Sequence, residues 1–598
     1  MKRSFPLVTS TLRLSSLALA AALAACGGSD EPADPLKPYR EQALKWSACD
    51  PSITGSRVLE GKALEVAQCA FMRAPMDYDH PERGDVQIAL LRVPATEPAQ
   101  RKGAIVLNPG GPGGDGLGQA LALPAAFKES DPANPQGALQ LQLLREFDMV
   151  GFSPRGVGAS TTLTCATNEL QRGVNSTAEH RFDPNNIDNE VYNARKSAEA
   201  CQKNPLTPHI HSVATARDMD LLRGLLGDAK LNYLGYSYGT WLGSVYARLF
   251  PDRVGRMVLD SAMDLTDPFT QAWLQQPMAR QRLLDDVLIP YAARHPGYFG
   301  LGTDVQALRA LVPTLPSVLQ GMLQESFGSK TYSRDAIDAM VINLAAAKGL
   351  AEVLEALPDD VATDDARQAL EAHVFVPGNP DADALVRADA MTAFNLLSAE
   401  GEPSEPESIR LLPEAAVFVA VSCNDSAWNT DVNHWIGVGN DYIQRYPLFG
   451  VGMVPSCAFW GTPPVTPPAL SAMQKLDVMM VQSEFDAATA TEGAMRGFAA
   501  LPQAKGVFIA GEYQHAVFPY TDQCVDTTVV KYFLGQTPAA RSTQCQGLPY
   551  TQDAAVQQAS RLQPQSATSG SAYLDPEAAR RLIEQFKSGI GRRPATGR

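Results

Sequence analysis

Seven short apolar runs punctuate the chain, each leading into turn residues: 86–93 (VQIALLRV), 104–108 (AIVLN), 147–152 (FDMVGF), 231–235 (LNYLG), 257–259 (MVL), 478–482 (VMMVQ) and 507–510 (VFIA). Runs of this length read as buried strands, whereas the spacing in 214–226 (ATARDMDLLRGLL) reads as a helix between two of them. Strands buried on both faces and separated by helices predict a mainly parallel sheet flanked by helices, an α/β fold.

One interval breaks this rhythm. From 265 to 470 the chain is rich in Ala, Leu and Gln at helical spacing, with Pro-rich breaks, before the strand at 478 resumes the earlier pattern. Neither flank supplies a complete sheet, so the interval reads as a helical cap or lid inserted between two strands of one core, 46–264 and 471–550. The polar segment 551–598 reads as a solvated or loosely docked extension with a helix at 576–587. No internal repeat is evident.

The amino terminus assigns the compartment. Lys2, Arg3 and Arg13 precede an apolar run at 17–23, and Leu23-Ala24-Ala25 stands before Cys26. A basic region, a short apolar stretch and small residues before a cut make an export signal, 1–25, too short for a spanning helix. Cysteine at that place resembles the lipobox of bacterial lipoproteins, in which the thiol of Cys26 is lipidated and the chain is held on a membrane. Residues 26–45, with GGSDEPADPLKP at 27–38, then read as a flexible tether. The chain has 598 residues with net charge -15, and its pI near 5.1 argues against nucleic-acid binding, which needs a surplus of Lys and Arg.

The chemistry is carried by Gly235-Tyr236-Ser237-Tyr238-Gly239, which follows a strand and opens a helix-like run (TWLGSVYARLF). Strand, sharp turn and helix are what a nucleophile elbow needs, and small flanking residues permit the strained serine. A serine hydroxyl needs a base and an acid that orients the base, in the chain order Ser, Asp or Glu, His. Of the histidines after Ser237, His295, His373 and His434 fall in the presumed lid, and His515 lies just past the last apolar strand. The acid should follow the strand at 478–482: Asp486 is the choice and Glu484 the fallback. The glycine-rich run 108–114 (NPGGPGG) follows a strand where this class supplies an oxyanion donor, so the amides of Gly111 and Tyr238 are the expected pair.

Residues 111–116 also spell G-x-G-x-x-G, the dinucleotide fingerprint, but the acidic residue expected at the end of a second strand is missing. A P-loop lacks its Gly-Lys-Ser/Thr. No cofactor or metal is expected: C-x-x-C and H-E-x-x-H spacings are absent, and His209-Ile210-His211 reads as a structural pair.

Taken together, NPGGPGGDG, FDMVGFSPRGVGAS, LGYSYGT and the regions of Asp486 and Cys524 resemble the secreted α/β-hydrolases of the tripeptidyl aminopeptidase and proline iminopeptidase group over about 46–546. The resemblance implies an α/β-hydrolase fold and removal of short units from free amino termini of peptides, although some similar proteins are described as carboxylesterases. The sequence departs from the family at Ser153 in Ser-Pro-Arg-Gly, at Ser483 before the acid, and at Gln514 and Ala516 around His515. An aminopeptidase must also hold a protonated amine, for which Asp425, Asp264 and Glu512 are the candidate carboxylates.

With Cys26 set aside, eight cysteines allow 105 pairings. Neighbour pairing keeps each loop local and predicts Cys49 with Cys69, Cys165 with Cys201, Cys423 with Cys457 and Cys524 with Cys545. The expectation is thus an exported, lipid-anchored serine peptidase acting on peptides. A carboxylesterase with the same triad and an idle binding protein that retains the fold are its rivals.

Overall fold

A computed structural model describes residues 34–50, 66–174, 183–266, 269–358, 361–399, 407–450, 452 and 454–561. The export signal, Cys26 and the expected helix at 576–587 lie outside the described residues. The core is a ten-stranded sheet in the order β1 (Ser47–Ala48), β2 (Gln68–Pro75), β3 (Asp85–Val93), β5 (Phe147–Phe152), β4 (Gly103–Asn108), β7 (Leu231–Tyr236), β8 (Val254–Asp260), β10 (Val478–Ser483), β11 (Lys505–Ala510) and β12 (Ser542–Gln546). The pairs from β1 to β5 are antiparallel, and every pair from β5 to β12 is parallel.

Alternation within the strands builds two cores. Ala104 and Val106 of β4, with Val478 and Met480 of β10, enter the core on one face; Ile105, Leu107, Met479 and Val481 enter the core on the other. This is why those strands read as unbroken apolar runs.

The interval after β8 is helical and has its own core, from Leu283 to Phe394 with Leu448 and Phe449, which reaches the sheet through Ala487 and Tyr513. Helix Pro413–Asn424 lies within the same interval in sequence, but its Ala416, Val417, Ala420 and Val421 join the sheet core. A second excursion precedes β7. Its strand β6 (Cys165–Leu170) pairs antiparallel with β9 (Ser408–Leu411), and Val454 and Gly461 donate their amides to Glu190 and Gln202 of helix Pro184–Gln202, both at 2.7 Å.

The expected tether and the carboxyl-terminal extension both make contacts where they are described. Lys37–Arg40 is a helical turn whose Tyr39 is buried in the sheet core with its hydroxyl on Asp85, so the tether ends before it. Helix Thr551–Arg561 is docked on the cap: Gln552 donates its amide to the Tyr291 hydroxyl at 2.9 Å, and Asp553 pairs with Arg294 and His295. The disulfides are Cys49–Cys69, Cys165–Cys201, Cys423–Cys457 and Cys524–Cys545.

Candidate active site

The carboxyl ends of β7, β8, β10 and β11 converge on one place. β7 stops at Tyr236 and helix Tyr238–Leu249 begins at Tyr238, leaving Ser237 at the turn with φ 56° and ψ -124°. A non-glycine residue there costs on the order of 1–3 kcal/mol. The glycines on either side are sterically required: a Cβ at Gly235 would stand 2.5 Å from the Gly239 carbonyl, and one at Gly239 2.9 Å from the Asn108 carbonyl. Between 231 and 248 every residue but Ser237 is buried.

Asp486 and His515 are both fully buried. The His515 Nδ1 lies 2.8 and 2.9 Å from the two Asp486 oxygens. That carboxylate also accepts the amides of Ala488 at 2.9 Å and Thr489 at 2.8 Å, and the Thr489 hydroxyl at 3.1 Å. A carboxylate held by backbone donors cannot rotate, so it fixes the ring that leans on it. Tyr332, from the cap, stacks edge-on against the imidazole at 5.1 Å, and the His515 amide donates to the Thr331 carbonyl at 2.9 Å. The ring's other nitrogen, Nε2, is buried and has no partner. Glu484, the fallback acid, is exposed and accepts the Gly511 amide at 2.7 Å, away from the imidazole.

The glycine loop after β4 leans on the elbow. Gly110 and Gly111 have φ of 91° and 107°, and a Cβ at Gly110 would stand 2.4 Å from the Tyr236 carbonyl and 3.1 Å from the Tyr238 amide nitrogen. The Gly110 amide is engaged by Asn108 Oδ1 at 3.0 Å. The rest of the dinucleotide-like run is filled by protein. A Cβ at Gly113 would meet the Glu414 carbonyl at 2.5 Å, and one at Gly116 the Phe152 carbonyl at 2.7 Å.

Ser237, Tyr238 and Gly111 open on a narrow cleft walled by Met263, Phe269, Trp273 and Phe418. A wider groove of about 750 Å³ lies at the opposite edge of the strands, where Arg101 pairs with Asp228 and Arg256 with Asp477. Open α/β sheets bind ligands at the carboxyl edge of the strands, so the narrow cleft is the candidate site.

A family model described as the α/β hydrolase fold matches residues 103–297, and one described as TAP-like protein matches residues 448–545. Tripeptidyl aminopeptidase of Streptomyces lividans is 30% identical over 500 residues, covering 80% of this chain and 83% of its own. The chain belongs to the tripeptidyl aminopeptidase group of α/β-hydrolases. Serine protease Hip1 of Mycobacterium tuberculosis is 29% identical over 563 residues, covering 90% of this chain and 97% of its own. Carboxylesterase B of the same species is 29% identical over 557 residues, covering 91% and 97%. The protein is a serine hydrolase of the peptidase type.

Its departures from the tripeptidyl aminopeptidase pattern have structural partners. The Ser483 hydroxyl donates to the Gln514 carbonyl at 2.7 Å, tying the acid-bearing strand to the histidine loop. Ser153 donates to Asp115 at 2.8 Å, and burial raises that carboxyl above its ordinary value. Arg155 of the same motif is buried and paired with Asp218 at 2.7 Å. His211 is also structural: its Nδ1 accepts the Ala214 amide at the start of helix Ser212–Leu225, and burial pushes its imidazole down to about 3.

None of the three carboxylates considered for the substrate amine is free. Asp425 accepts the Ser212 amide at 2.9 Å and the Trp241 indole at 3.0 Å, together with the Ser212 hydroxyl; burial pushes it up to about 6. Glu512 accepts the amides of Tyr513 and Gln514 and the Tyr520 hydroxyl, behind the histidine loop. Asp264 alone lines the cleft, but it is held by Thr266 at 2.6 Å and by Arg496 at 2.8 Å. Residue type alone does not mark these partners: Ser212, Trp241 and Arg496 lie far along the chain, and the nearby donors to Asp264 and Glu512 are backbone amides and hydroxyls. Among the described residues the one His/Cys/Asp/Glu grouping close enough for a metal is Asp522, Cys524 and Cys545, and its two sulfurs are joined in a disulfide.

Proposed function

We propose that the protein is an exported aminopeptidase that releases tripeptides or other short amino-terminal units through an acyl-enzyme on Ser237. The observation that carries this reading is the fully buried His515, held on one nitrogen by Asp486 and unpartnered on the other. In this mechanism Ser237 Oγ attacks the scissile carbonyl while His515 Nε2 takes its proton. Asp486 keeps the ring in the orientation and tautomer that this needs. The amides of Gly111 and Tyr238 hold the developing oxyanion, each donor contributing about 3 kcal/mol. His515 then protonates the leaving amine, and water hydrolyses the ester by the same route in reverse.

Restriction to short or terminal substrates follows from the cap, whose Thr331 and Tyr332 cover the histidine. Four disulfides support an oxidising compartment. A lipid on Cys26 would hold the enzyme at a membrane. Asp264, the one carboxylate among the described cleft residues, is already held by Thr266 and Arg496, which favours a second reading, a carboxylesterase with the same triad.

One assay separates the readings. Purified enzyme and Ser237→Ala are offered free-amine tripeptide anilides, the same peptides with blocked amines, and short-chain esters. Ser237-dependent turnover of free-amine anilides above blocked ones supports the aminopeptidase; ester turnover without anilide turnover rejects it for the esterase. No Ser237-dependent turnover of any substrate leaves a binding protein.

A further inference from the structure

The cleft beside Ser237 carries few polar side chains, and most are already committed. Asp264 is held by Thr266 and Arg496; Thr489 by Asp486 and the Ser261 carbonyl; Gln276 by the Ala488 carbonyl and Arg280. Gln275 is different. It sits at the junction of helices Phe269–Leu274 and Gln276–Arg282, lines the cleft half-buried, and its side-chain amide makes no hydrogen bond within the described protein. Glycine at 493 leaves it room: a Cβ there would stand 2.9 Å from Gln275 Oε1 and 2.9 Å from the Asp264 Cβ.

An unspent amide in a cleft walled by Phe269, Trp273 and Phe418 offers one donor and one acceptor side by side. That pattern complements a peptide unit, which presents a C=O and an N–H. An alkyl ester has no N–H to offer and can use only half of it. With no free carboxylate among the described cleft residues, discrimination between peptide and ester falls to this neutral group.

We propose that Gln275 is a specificity-determining residue that hydrogen-bonds a peptide unit of the substrate next to the scissile bond, selecting peptides over simple esters. This rests on the peptidase reading above and adds the group that enforces it. Binding of this kind does not depend on the charge of the amino terminus.

The test compares wild type with Gln275→Met, close in volume but without the amide, and with Gln275→Glu, which keeps an acceptor and loses the donor. Each is assayed on a free-amine tripeptide anilide, its amino-blocked counterpart and p-nitrophenyl acetate, with melting temperature recorded. The expected result is an anilide-to-acetate ratio of kcat/KM about tenfold lower in Gln275→Met for both anilides, the loss of one hydrogen bond to a half-buried partner, with an intermediate ratio in Gln275→Glu. A ratio unchanged from wild type overturns the proposal, whether both activities hold or both fall. Loss confined to the free-amine anilide overturns it in favour of an amine contact. Wild type that cleaves the acetate and neither anilide fails at the peptidase reading, and the proposal fails with it.

Discussion

Asp260 accepts the Ser237 amide on its backbone carbonyl at 3.0 Å. Its buried carboxylate meanwhile accepts the amides of Val517 at 2.9 Å and Phe518 at 2.6 Å, so one residue at the end of β8 sets the elbow and the histidine loop in a common frame. Asp260→Asn puts an NH₂ group against one of those amides. The expected outcome is a folded enzyme with kcat down at least tenfold and KM within about twofold, because a buried donor without an acceptor costs about 1–3 kcal/mol and loosens the loop. Steady-state kinetics on one anilide, alongside thermal melting, would check it; a change in KM alone would contradict this placement.

Asp486→Asn preserves the shape of the acid and removes its charge. With the Nδ1 partner altered, His515 is expected to favour the wrong tautomer, and kcat should fall by about 10³- to 10⁴-fold while the protein remains folded. Circular dichroism together with burst-phase measurement of acylation reads both parts.

Ser261 offers a milder perturbation of the same frame. Its hydroxyl accepts the Ala516 amide at 2.8 Å, and its carbonyl accepts the Thr489 hydroxyl at 2.9 Å. Both Ser261 and Ala516 stand at positive φ, 57° and 61°. Ser261→Ala is expected to lower stability by about 1–3 kcal/mol through the stranded Ala516 amide. A urea midpoint shift with an unchanged slope is the measurement.

Asp425 predicts a dependence of stability on pH. Its carboxyl rises from 3.8 unfolded to about 6 in the folded protein, chiefly through burial. Between those values the folded protein keeps a proton that the unfolded chain has released, so stability falls as pH rises from about 4 to about 6. The loss from this group is on the order of 3 kcal/mol, and it levels off above. Asp425→Asn should flatten that part of the curve, read as urea midpoints across pH 4 to 7.

The Cys524–Cys545 bridge closes a loop with a sequence separation of 21 and holds β12 beside helix Gln523–Phe533. Replacing both cysteines with serine is expected to cost about 3 kcal/mol by the loop-entropy argument. Differential scanning calorimetry of the double variant would check this.

The strands that read clearly in the sequence, β3, β4, β5, β7, β8, β10 and β11, have apolar residues on both faces; β2 does too, with Met72 and Ala74 in one core and Cys69 in the other, but Gln68 and Arg73 interrupt its run. β6, β9 and β12 each bury a single residue, Cys165, Ile409 and Cys545. Their register is set by partners far along the chain, which no local pattern records. The elbow was legible because its constraint is local, two glycines around one serine. The fates of Asp425, Asp264 and Glu512 were not: the first two depend on donors brought by other elements, Ser212 and Trp241 for Asp425 and Arg496 for Asp264, and the third on how one loop folds Tyr520 back onto Glu512. Tyr39 shows the same limit, a single aromatic in a polar stretch whose burial depends on Asp85 and the sheet beside it.

The pairing of β6 with β9 imposes an order of events on a chain that emerges amino terminus first. β6 and helix Pro184–Gln202 precede the elbow; Cys165, Ala200 and Cys201 pack in the sheet core, but the strand pairs with β9 and the helix is capped by Val454, Phe459 and Gly461, contacts separated by 257 to 264 residues along the chain from that helix. That side of the excursion therefore stays uncovered until residues 408–461 have been delivered. A product truncated before residue 408 would present that helix and strand to proteases with Cys165–Cys201, a bridge closed within the excursion itself, as its internal fastening.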